Sequence, residues 1–348
     1  MIPGDRATRS ERGDHRSPQR AFGRLSRKAN LYGVLVTYRR PDALVTMLEA
    51  LAVQGRRIDH LFVVDNAPDD SNRSRLHSYV ARGLPATYLA AEGNTGPAGG
   101  ISLGMERVLC VAEDEDWVVL LDDDDPPWEP GWLEELWSFA VGVREVDPRV
   151  AAVGTAGSRF DRKRGRLIRT PDEDLHGAVP VDVIGGNQFP FYRVAAIRNV
   201  GPFRRELFFG FEELEYGLRL RTAGWSLYTL GRMNLHRRQR SGRLGLSSRP
   251  SLRVGAVHWR SYYSLRNLVW ICRSHGWRRT ALRLSVVHGL AKPVVNLVRR
   301  PLQSWRMLRL HSRACADAWR GRLGRTIDPA LRLDGSYGSR ARPRVREA

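Results

Sequence analysis

The sequence predicts an α/β protein built on a mixed, mostly parallel sheet flanked by helices, with a helical C-terminal extension. Three observations predict it. Short apolar runs rich in β-formers alternate with amphipathic helical segments through the first half of the chain, the pattern of strand–helix units with parallel strands. Polar groups stand where three of those runs end. From His258 onward the pattern becomes helical, basic and Trp-bearing.

Residues 1–29 are rich in Arg, Ser, Gly and Asp and read as a disordered basic arm. The run Leu31-Tyr32-Gly33-Val34-Leu35-Val36-Thr37 reads as a buried strand. Pro41 then opens a helix with Leu44, Leu48 and Leu51 on one face. Leu61 to Asp65 is a second strand, and Thr87-Tyr88-Leu89 a weaker third. A Gly-rich turn, Gly93 to Gly100, leads into a helix that aligns Ile101, Met105, Val108 and Ala112. Trp117 to Leu121 is a fourth strand and runs into four aspartates. A helix from Trp132 to Val141 follows, then a strand from Val150 to Gly154 and a charged excursion from Arg159 to Glu173. A strand from Val181 to Ile184, the turn Gly185-Gly186-Asn187 and a helix through Ala195 and Ile197 come next. Glu212 to Arg219 reads as helix and Ser226 to Leu230 as strand. Arg237 to Pro250 reads as a mobile loop, and residues 328–348 as a disordered tail.

Charge separates the parts. The chain of 348 residues carries a net charge of +20, with 42% apolar and 27% charged residues. Residues 1–30 hold +5 and residues 251–348 hold +17, which leaves residues 31–250 at −2. A nucleic-acid enzyme would place its positive charge around the active groove. A near-neutral body with a basic extension fits an anionic surface contact beside a separate chemical site. Cys110, Cys272 and Cys315 have neither disulfide-framework nor zinc spacing, which points to a reducing compartment. No signal peptide is read at the start. The apolar run Ala281 to Val298 is broken by Arg283, His288, Lys292 and Pro293 and is a poor membrane span.

Sheets of this kind bind ligands beyond the carboxyl ends of their strands. Thr37, Asp65 and Asp122 each fall at such an end. Asp122-Asp123-Asp124-Asp125 would repel one another unless a cation neutralised them. Carboxylates at a strand end can share Mg²⁺ or Mn²⁺ and leave positions for phosphate oxygens. Glycines in Asn94-Thr95-Gly96-Pro97-Ala98-Gly99-Gly100 allow a backbone to approach a ligand closely, and amides at a helix start favour anions. In Glu212-Glu213-Leu214-Glu215, Glu212 and Glu215 share a helix face while Glu213 points elsewhere. A cleft carboxylate of this kind can act as a general base. His236 is a candidate third metal ligand.

The order Val36-Thr37-Tyr38-Arg39-Arg40-Pro41, Val63-Val64-Asp65-Asn66, Asn94-x-Gly96-x-Ala98-Gly99-Gly100, Leu120-Leu121-Asp122-Asp123-Asp124 and Glu212-Glu213-x-Glu215-Tyr216-x-Leu218-Arg219 resembles glycosyltransferase family 2. Within the family it is most similar to the rhamnosyl- and galactofuranosyltransferase branch, and Tyr262-Tyr263-x-x-Arg266-Asn267 is similar to a segment common there. The resemblance covers residues 31–270 and implies a GT-A fold, a nucleotide-sugar donor, a divalent metal (Mn²⁺ or Mg²⁺) and inversion at the anomeric carbon. It implies that Thr37 and Asp65 contact base and ribose, with Arg39, Asn94, Gly96, Gly99 and Asp123 also on the substrate side. Asp122 and Asp124 match the metal-binding Asp-x-Asp, and His236 a metal or diphosphate contact. Glu213 matches the catalytic base; the family has Asp-Asp or Glu-Asp where this chain has Glu212-Glu213, so Glu212 remains the alternative. Arg39 stands where Asn is common, and Asp125 is an extra acid.

The expected division is a basic arm at 1–29, a GT-A catalytic domain at 30–240, a basic helical extension at 241–327 and a tail at 328–348. The expected reaction moves galactofuranose or rhamnose from a UDP- or dTDP-sugar to a cell-envelope polysaccharide or lipid-linked glycan. Trp305, Leu308 and Leu310, with Arg299, Arg300, Arg306, Arg309 and Arg313, form a basic amphipathic stretch suited to an anionic leaflet. The expected location is the cytoplasm, peripheral on the inner face of the cell membrane. A nucleotidyltransferase would carry a Gly-rich basic loop after the first strand, which Thr37-Tyr38-Arg39-Arg40-Pro41 does not supply. A basic nucleic-acid-binding protein is opposed by the near-neutral middle of the chain.

Overall fold

The computed structural model describes residues 29–245, 259–295 and 301–329. Residues 1–28 of the arm, 246–258 of the Arg/Ser/Gly segment and 330–348 of the tail lie outside them, as do Arg299 and Arg300.

The first half alternates as expected: β1 (Leu31–Thr37), α1 (Pro41–Ala52), β2 (His60–Asp65), α2 (Asp70–Val80), β3 (Ala86–Ala90), α3 (Gly96–Leu109) and β4 (Trp117–Asp122). Then follow α4 (Trp132–Val146), β5 (Val150–Gly154), β6 (Gly157–Asp161), β7 (Arg166–Ile168), β8 (Ala178–Pro180), β9 (Val183–Ile184) and β10 (Phe191–Arg193). The chain continues through α5 (Val194–Val200), α6 (Glu212–Thr222), β11 (Ser226–Leu230) and α7 (Gly231–Arg240). The C-terminal helices are α8 (Trp259–Ser274), α9 (Arg278–Leu284), α10 (Lys292–Val295) and α11 (Pro301–Arg320). A π-helical stretch, Ser285–Ala291, joins α9 to α10.

The main sheet has the order β3-β2-β1-β4-β10-β5-β11-β8. Strands β3, β2, β1 and β4 run parallel, as do β5 and β11, while β10 and β8 are antiparallel to their neighbours. In β1, Leu31 and Leu35 enter the core shared with α1 and α4, and Tyr32 and Val34 the core shared with α3, α5 and α6. This alternation is the period-two rule of a sheet covered on both faces. The register Val36↔Val64 and Val36↔Asp122 brings the ends of β1, β2 and β4 to one edge.

Four expectations change. The charged excursion from Arg159 holds most of an antiparallel hairpin, β6–β7, which joins β9 in a second, three-stranded sheet. The helix expected to end at Val141 runs to Val146. Arg237 to Arg240 are helical, because buried Arg238 donates to the Thr170 carbonyl and to the Asp172 carboxylate. Helix α3 starts at Gly96, so Gly99 and Gly100 lie inside it.

The C-terminal helices are built onto the body. Tyr262, Tyr263, Val269, Ala281 and Met307 share one core with Phe160 of β6, Val183 of β9, and Leu214 and Leu218 of α6. Leu310 turns into that core while Trp305 is exposed, so the face drawn from Trp305, Leu308 and Leu310 is not a single exposed one. The exposed large apolar side chains described in these helices are instead Leu282, Val286, Val287, Leu290, Val294, Val295, Leu302 and Trp305. Among the described residues no helix is long and apolar enough to cross a membrane.

Helix α3 lies close on β1 because its glycines permit it. A Cβ at Gly104 would stand 2.3 Å from Val34 Cγ1, and one at Gly100 2.6 Å from Val36 Cγ1. Both neighbours are β-branched and cannot swing away cheaply. Gly104→Val should therefore lower unfolding free energy by about 1–3 kcal/mol through overpacking, read as a fall in the denaturant midpoint.

Candidate functional site

The site is assembled at the carboxyl edge of β1 and β4. Thr37, the last residue of β1, donates its hydroxyl to Asp123 Oδ2 at 2.8 Å. Arg40 reaches Asp123 Oδ1 at 3.1 Å and Asp124 Oδ2 at 2.8 Å. Asp125 leaves this group and accepts from Arg237 at 2.9 Å and from the Trp128 indole at 3.3 Å.

Oxygens of Asp122, Asp123 and Asp124 lie within 4.8 Å of one another. Burial, then the carboxylates of Asp124 and Asp123, push the Asp122 carboxyl up to about 7. Three hard oxygen donors, with Asp122 and Asp123 raised by burial and by the charge of Asp124, form a set that a divalent cation would relieve. The donor chemistry therefore fits Mn²⁺ or Mg²⁺.

Two cavities open beside this cluster. The smaller, about 480 Å³, is lined by Thr37, Asn66, Asn94, Asp122, Phe208 and both Glu212 and Glu213, among others. The larger, about 760 Å³, is lined by Asp124, Trp128, Arg169, Asn187, Glu213 and Arg243, among others. Glu213 borders both. Its Oε1 accepts from the Gly186 amide at 2.9 Å, and a Cβ at Gly186 would stand 3.1 Å from that oxygen. Burial raises the Glu213 carboxyl, while its own amide and that of Gly186 hold it down. Glu212 is raised well above the carboxylate range by burial and by the charges of Glu213 and Asp122, and its Oε2 has no hydrogen-bond partner. A buried carboxyl beside a second one keeps its proton at neutral pH. Glu215 is spoken for by Arg204 at 2.8 Å and Arg219 at 3.0 Å.

The residues expected on the substrate side divide. Thr37, Asp123, Asn94 and Gly96 line the smaller cavity. Asp65 does not: it is fully buried, and its oxygens are taken by Asn72 at 2.8 Å, Tyr88 at 2.9 Å and the Ala67 amide at 2.9 Å. Gly99 faces the Thr95 side chain, 2.5 Å from where its Cβ would be, so its smallness serves the helix start. Arg39 is exposed, with its guanidinium 5.3 Å from the Tyr38 ring centre, and the ion pairs fall to its neighbour Arg40. His236 stands apart from the aspartates. It sits on α7, its ring 6.0 Å from that of Trp132 and its Nε2 3.6 Å from Glu129. The carboxylate cluster able to hold an ion does not include it.

Arg40, Asn66 and Gly186 were not singled out by sequence. The Arg39-Arg40 pair just beyond a strand, facing four aspartates, is the signal that could have found the first.

Residues 34–196 match glycosyl transferase family 2. Galactofuranosyltransferase GlfT1 of Mycobacterium tuberculosis is 32% identical over 203 residues, 56% of this chain and 66% of that protein. Its namesake from Mycolicibacterium smegmatis is 32% identical over 201 residues, 55% of this chain and 65% of that protein. The chain thus spans just under two thirds of these relatives' length. A crystal structure of GalNAc-T7 with UDP, GalNAc and Mn²⁺ superposes with a TM-score of 0.51 at 10% identity, over 84% of this chain and 56% of that one. At that identity the likeness speaks to the fold alone, which is GT-A.

The Asp122 shift carries a stability consequence. A carboxyl raised on folding binds more protons folded than unfolded between about pH 4 and about pH 7, so the cation-free protein loses stability as pH rises through that window. Mn²⁺ should reverse this, raising the melting temperature at about pH 7.5 and much less at about pH 4.5. Thermal unfolding with Mn²⁺ or EDTA checks it, and Asp122→Asn with Asp124→Asn should erase the increment.

Proposed function

Because this chain carries a glycosyl transferase family 2 domain at residues 34–196, we propose that it is a metal-dependent inverting glycosyltransferase. It moves galactofuranose or rhamnose from a nucleotide-diphosphate donor to a glycan of the cell envelope, free or lipid-linked. The observation that carries this is Glu213, on the wall common to two cavities, with Asp122 in one and Asp124 in the other. The relatives' name favours galactofuranose.

In this reading the smaller cavity takes the nucleotide sugar and the larger the acceptor. Asn66 and Asn94 are presented to the nucleotide, and Asn66 is fixed by its bonds to Gly96 O at 3.0 Å and Thr95 Oγ1 at 2.7 Å. Asp122 and Asp124, with Asp123 between them, would hold the cation, which supplies positive charge against the diphosphate. Arg40 keeps Asp123 and Asp124 in place. Glu213 takes the proton of an acceptor hydroxyl through the carboxylate that the Gly186 amide orients. The hydroxyl oxygen forms a bond to the anomeric carbon as the bond to the diphosphate oxygen breaks. Attack opposite the leaving group inverts that carbon. Glu212, kept neutral, adds no second charge beside the base.

Glu213→Gln should lower kcat by about a hundredfold to ten-thousandfold, the range for loss of a general base, with donor affinity within about threefold. Transfer kinetics and donor titration read this, and unchanged turnover would remove Glu213 from the role. Because burial raises the Glu213 carboxyl, the acid limb of the kcat/KM profile should fall at a pH above the ordinary glutamate range.

A membrane contact belongs to the same proposal. Leu282, Val286, Leu290 and Val294 recur at four-residue spacing and are exposed, beside exposed Leu302 and Trp305. No Asp or Glu occurs between Glu215 and Asp317. An apolar face in so basic a segment suits an anionic bilayer. Vesicles containing phosphatidylglycerol should sediment the protein, vesicles of phosphatidylcholine should not, and Leu302→Ser with Trp305→Ser should weaken the binding. Sedimentation indifferent to lipid charge and to these changes would end the membrane reading.

A further inference from the structure

The segment Tyr262-Tyr263-x-x-Arg266-Asn267 has no part in the chemistry above, yet it is among the most buried of the molecule. Arg266 and Asn267 are both fully buried on α8. Asn267 sends its Nδ2 to three backbone oxygens of one loop: Leu207 at 2.9 Å, Phe209 at 3.0 Å and Gly210 at 2.7 Å. Arg266 Nε donates to Asn267 Oδ1 at 2.9 Å, which settles which way the amide faces. Arg266 Nη2 adds a second donor to the Leu207 oxygen at 2.9 Å, and Nη1 ties the Gly324 carbonyl at 2.6 Å.

That loop is strained and leads straight to the glutamates. Phe208 has φ 62° and ψ −63°, with the Phe209 amide bonded to the Leu207 oxygen at 2.7 Å, which makes a γ-turn of the strained, positive-φ kind. Phe211 has φ 64° and ψ 13° and is the residue before helix α6, which opens with Glu212 and Glu213. Bulky residues rarely hold such angles unless their surroundings enforce them. On its other side the loop meets the start of α3: the Phe208 oxygen lies 2.0 Å from where a Cβ at Gly96 would be. Phe208, Phe209 and Gly210 are themselves wall of the smaller cavity.

We propose that Asn267 and Arg266 are positioning residues: they gather the carbonyls of residues 207–210 and so hold the strained turn that aims Glu212 and Glu213 into the cavity. The remaining contacts anchor the clamp. Tyr262 bonds Asp317 at 2.6 Å and Thr326 at 2.8 Å, and Tyr263 bonds both backbone groups of Ile327. Arg266 and Asn267 touch no ligand; they act through the loop.

The inference rests on the glutamates doing the chemistry proposed above, so the test has one arm that does not use activity. In the full chain, Asn267→Ala and Arg266→Lys are compared with Tyr263→Phe, which breaks an anchor contact but no bond to the loop. For Asn267→Ala, amide hydrogen exchange should quicken at residues 207–213 and stay unchanged in the strands. Its kcat should fall about ten- to hundredfold, the scale of a misplaced catalytic group, with donor KM moving less than about threefold. Arg266→Lys should show the same pattern more weakly, and Tyr263→Phe a lower melting temperature without the kcat loss. Should Asn267→Ala not fold, Asn267→Ser, which keeps one donor, is read in the same two ways. Unaltered exchange at 207–213, or exchange that quickens throughout while kcat per folded molecule holds, overturns the positioning role. A wild-type chain that transfers no sugar overturns the glycosyltransferase reading instead, and the exchange arm still decides the clamp.

Discussion

Three carboxylates within 4.8 Å of one another, at the end of a buried strand, form the constraint on which the rest of this molecule depends. Mutual repulsion in a partly desolvated place is unfavourable, and the surroundings of the cluster are its partial remedy. Thr37 and Arg40, delivered by β1 and the turn after it, satisfy Asp123 and one oxygen of Asp124. Arg237 removes Asp125 from the group altogether. Asp122 is raised first by burial and then by the charges of Asp124 and Asp123. The parallel register of β1 against β4 makes this possible, since it sets Val36 beside Asp122 and lets Thr37 meet the next aspartate.

The two glutamates show the same logic to different degrees. Glu212 is buried, unpartnered at one oxygen and raised well above the carboxylate range; Glu213, one residue on, is raised by burial but held down by its own amide and that of Gly186, with an opening on either side. Adjacent carboxyl groups are thereby raised to different degrees by environment alone. Glu215, which shares a helix face with Glu212, is neutralised by two arginines and left to hold α6 in place.

The alternation of strands and helices was legible because burial on both faces of a parallel sheet leaves continuous apolar runs, and Asp122 to Asp125 were legible because four acids cannot follow such a run by accident of packing. The glycines of α3 were legible only in part: Gly96 lines the smaller cavity, while Gly100 and Gly104 make room for β1. A glycine that admits a ligand and a glycine that admits Val34 or Val36 have the same letter, and only the neighbouring strand tells them apart. Asp65 stands at a strand end like Asp122, yet Asn72 and Tyr88 close over it, and neither partner was visible as such. His236 looked like a ligand from its position after β11, but the chain is helical there and carries it toward Glu129. The clamp on residues 207–210 could not be read at all, because its acceptors are backbone oxygens, which no side-chain pattern encodes, some sixty positions away.

The hairpin β6–β7 lies outside the main sheet, pinned by Asp172, which ties Arg169, Arg238 and the Gly245 amide together. It supplies Gly157, Ser158 and Leu167 to the larger cavity and nothing to the smaller one. The smaller cavity therefore meets the ends of β1 and β4, at Thr37 and Asp122, while the larger one takes part of its wall from an appendage. An exchange in that appendage reshapes the larger cavity and leaves the wall of the smaller one as it is, so the two halves of the cleft can change independently of each other.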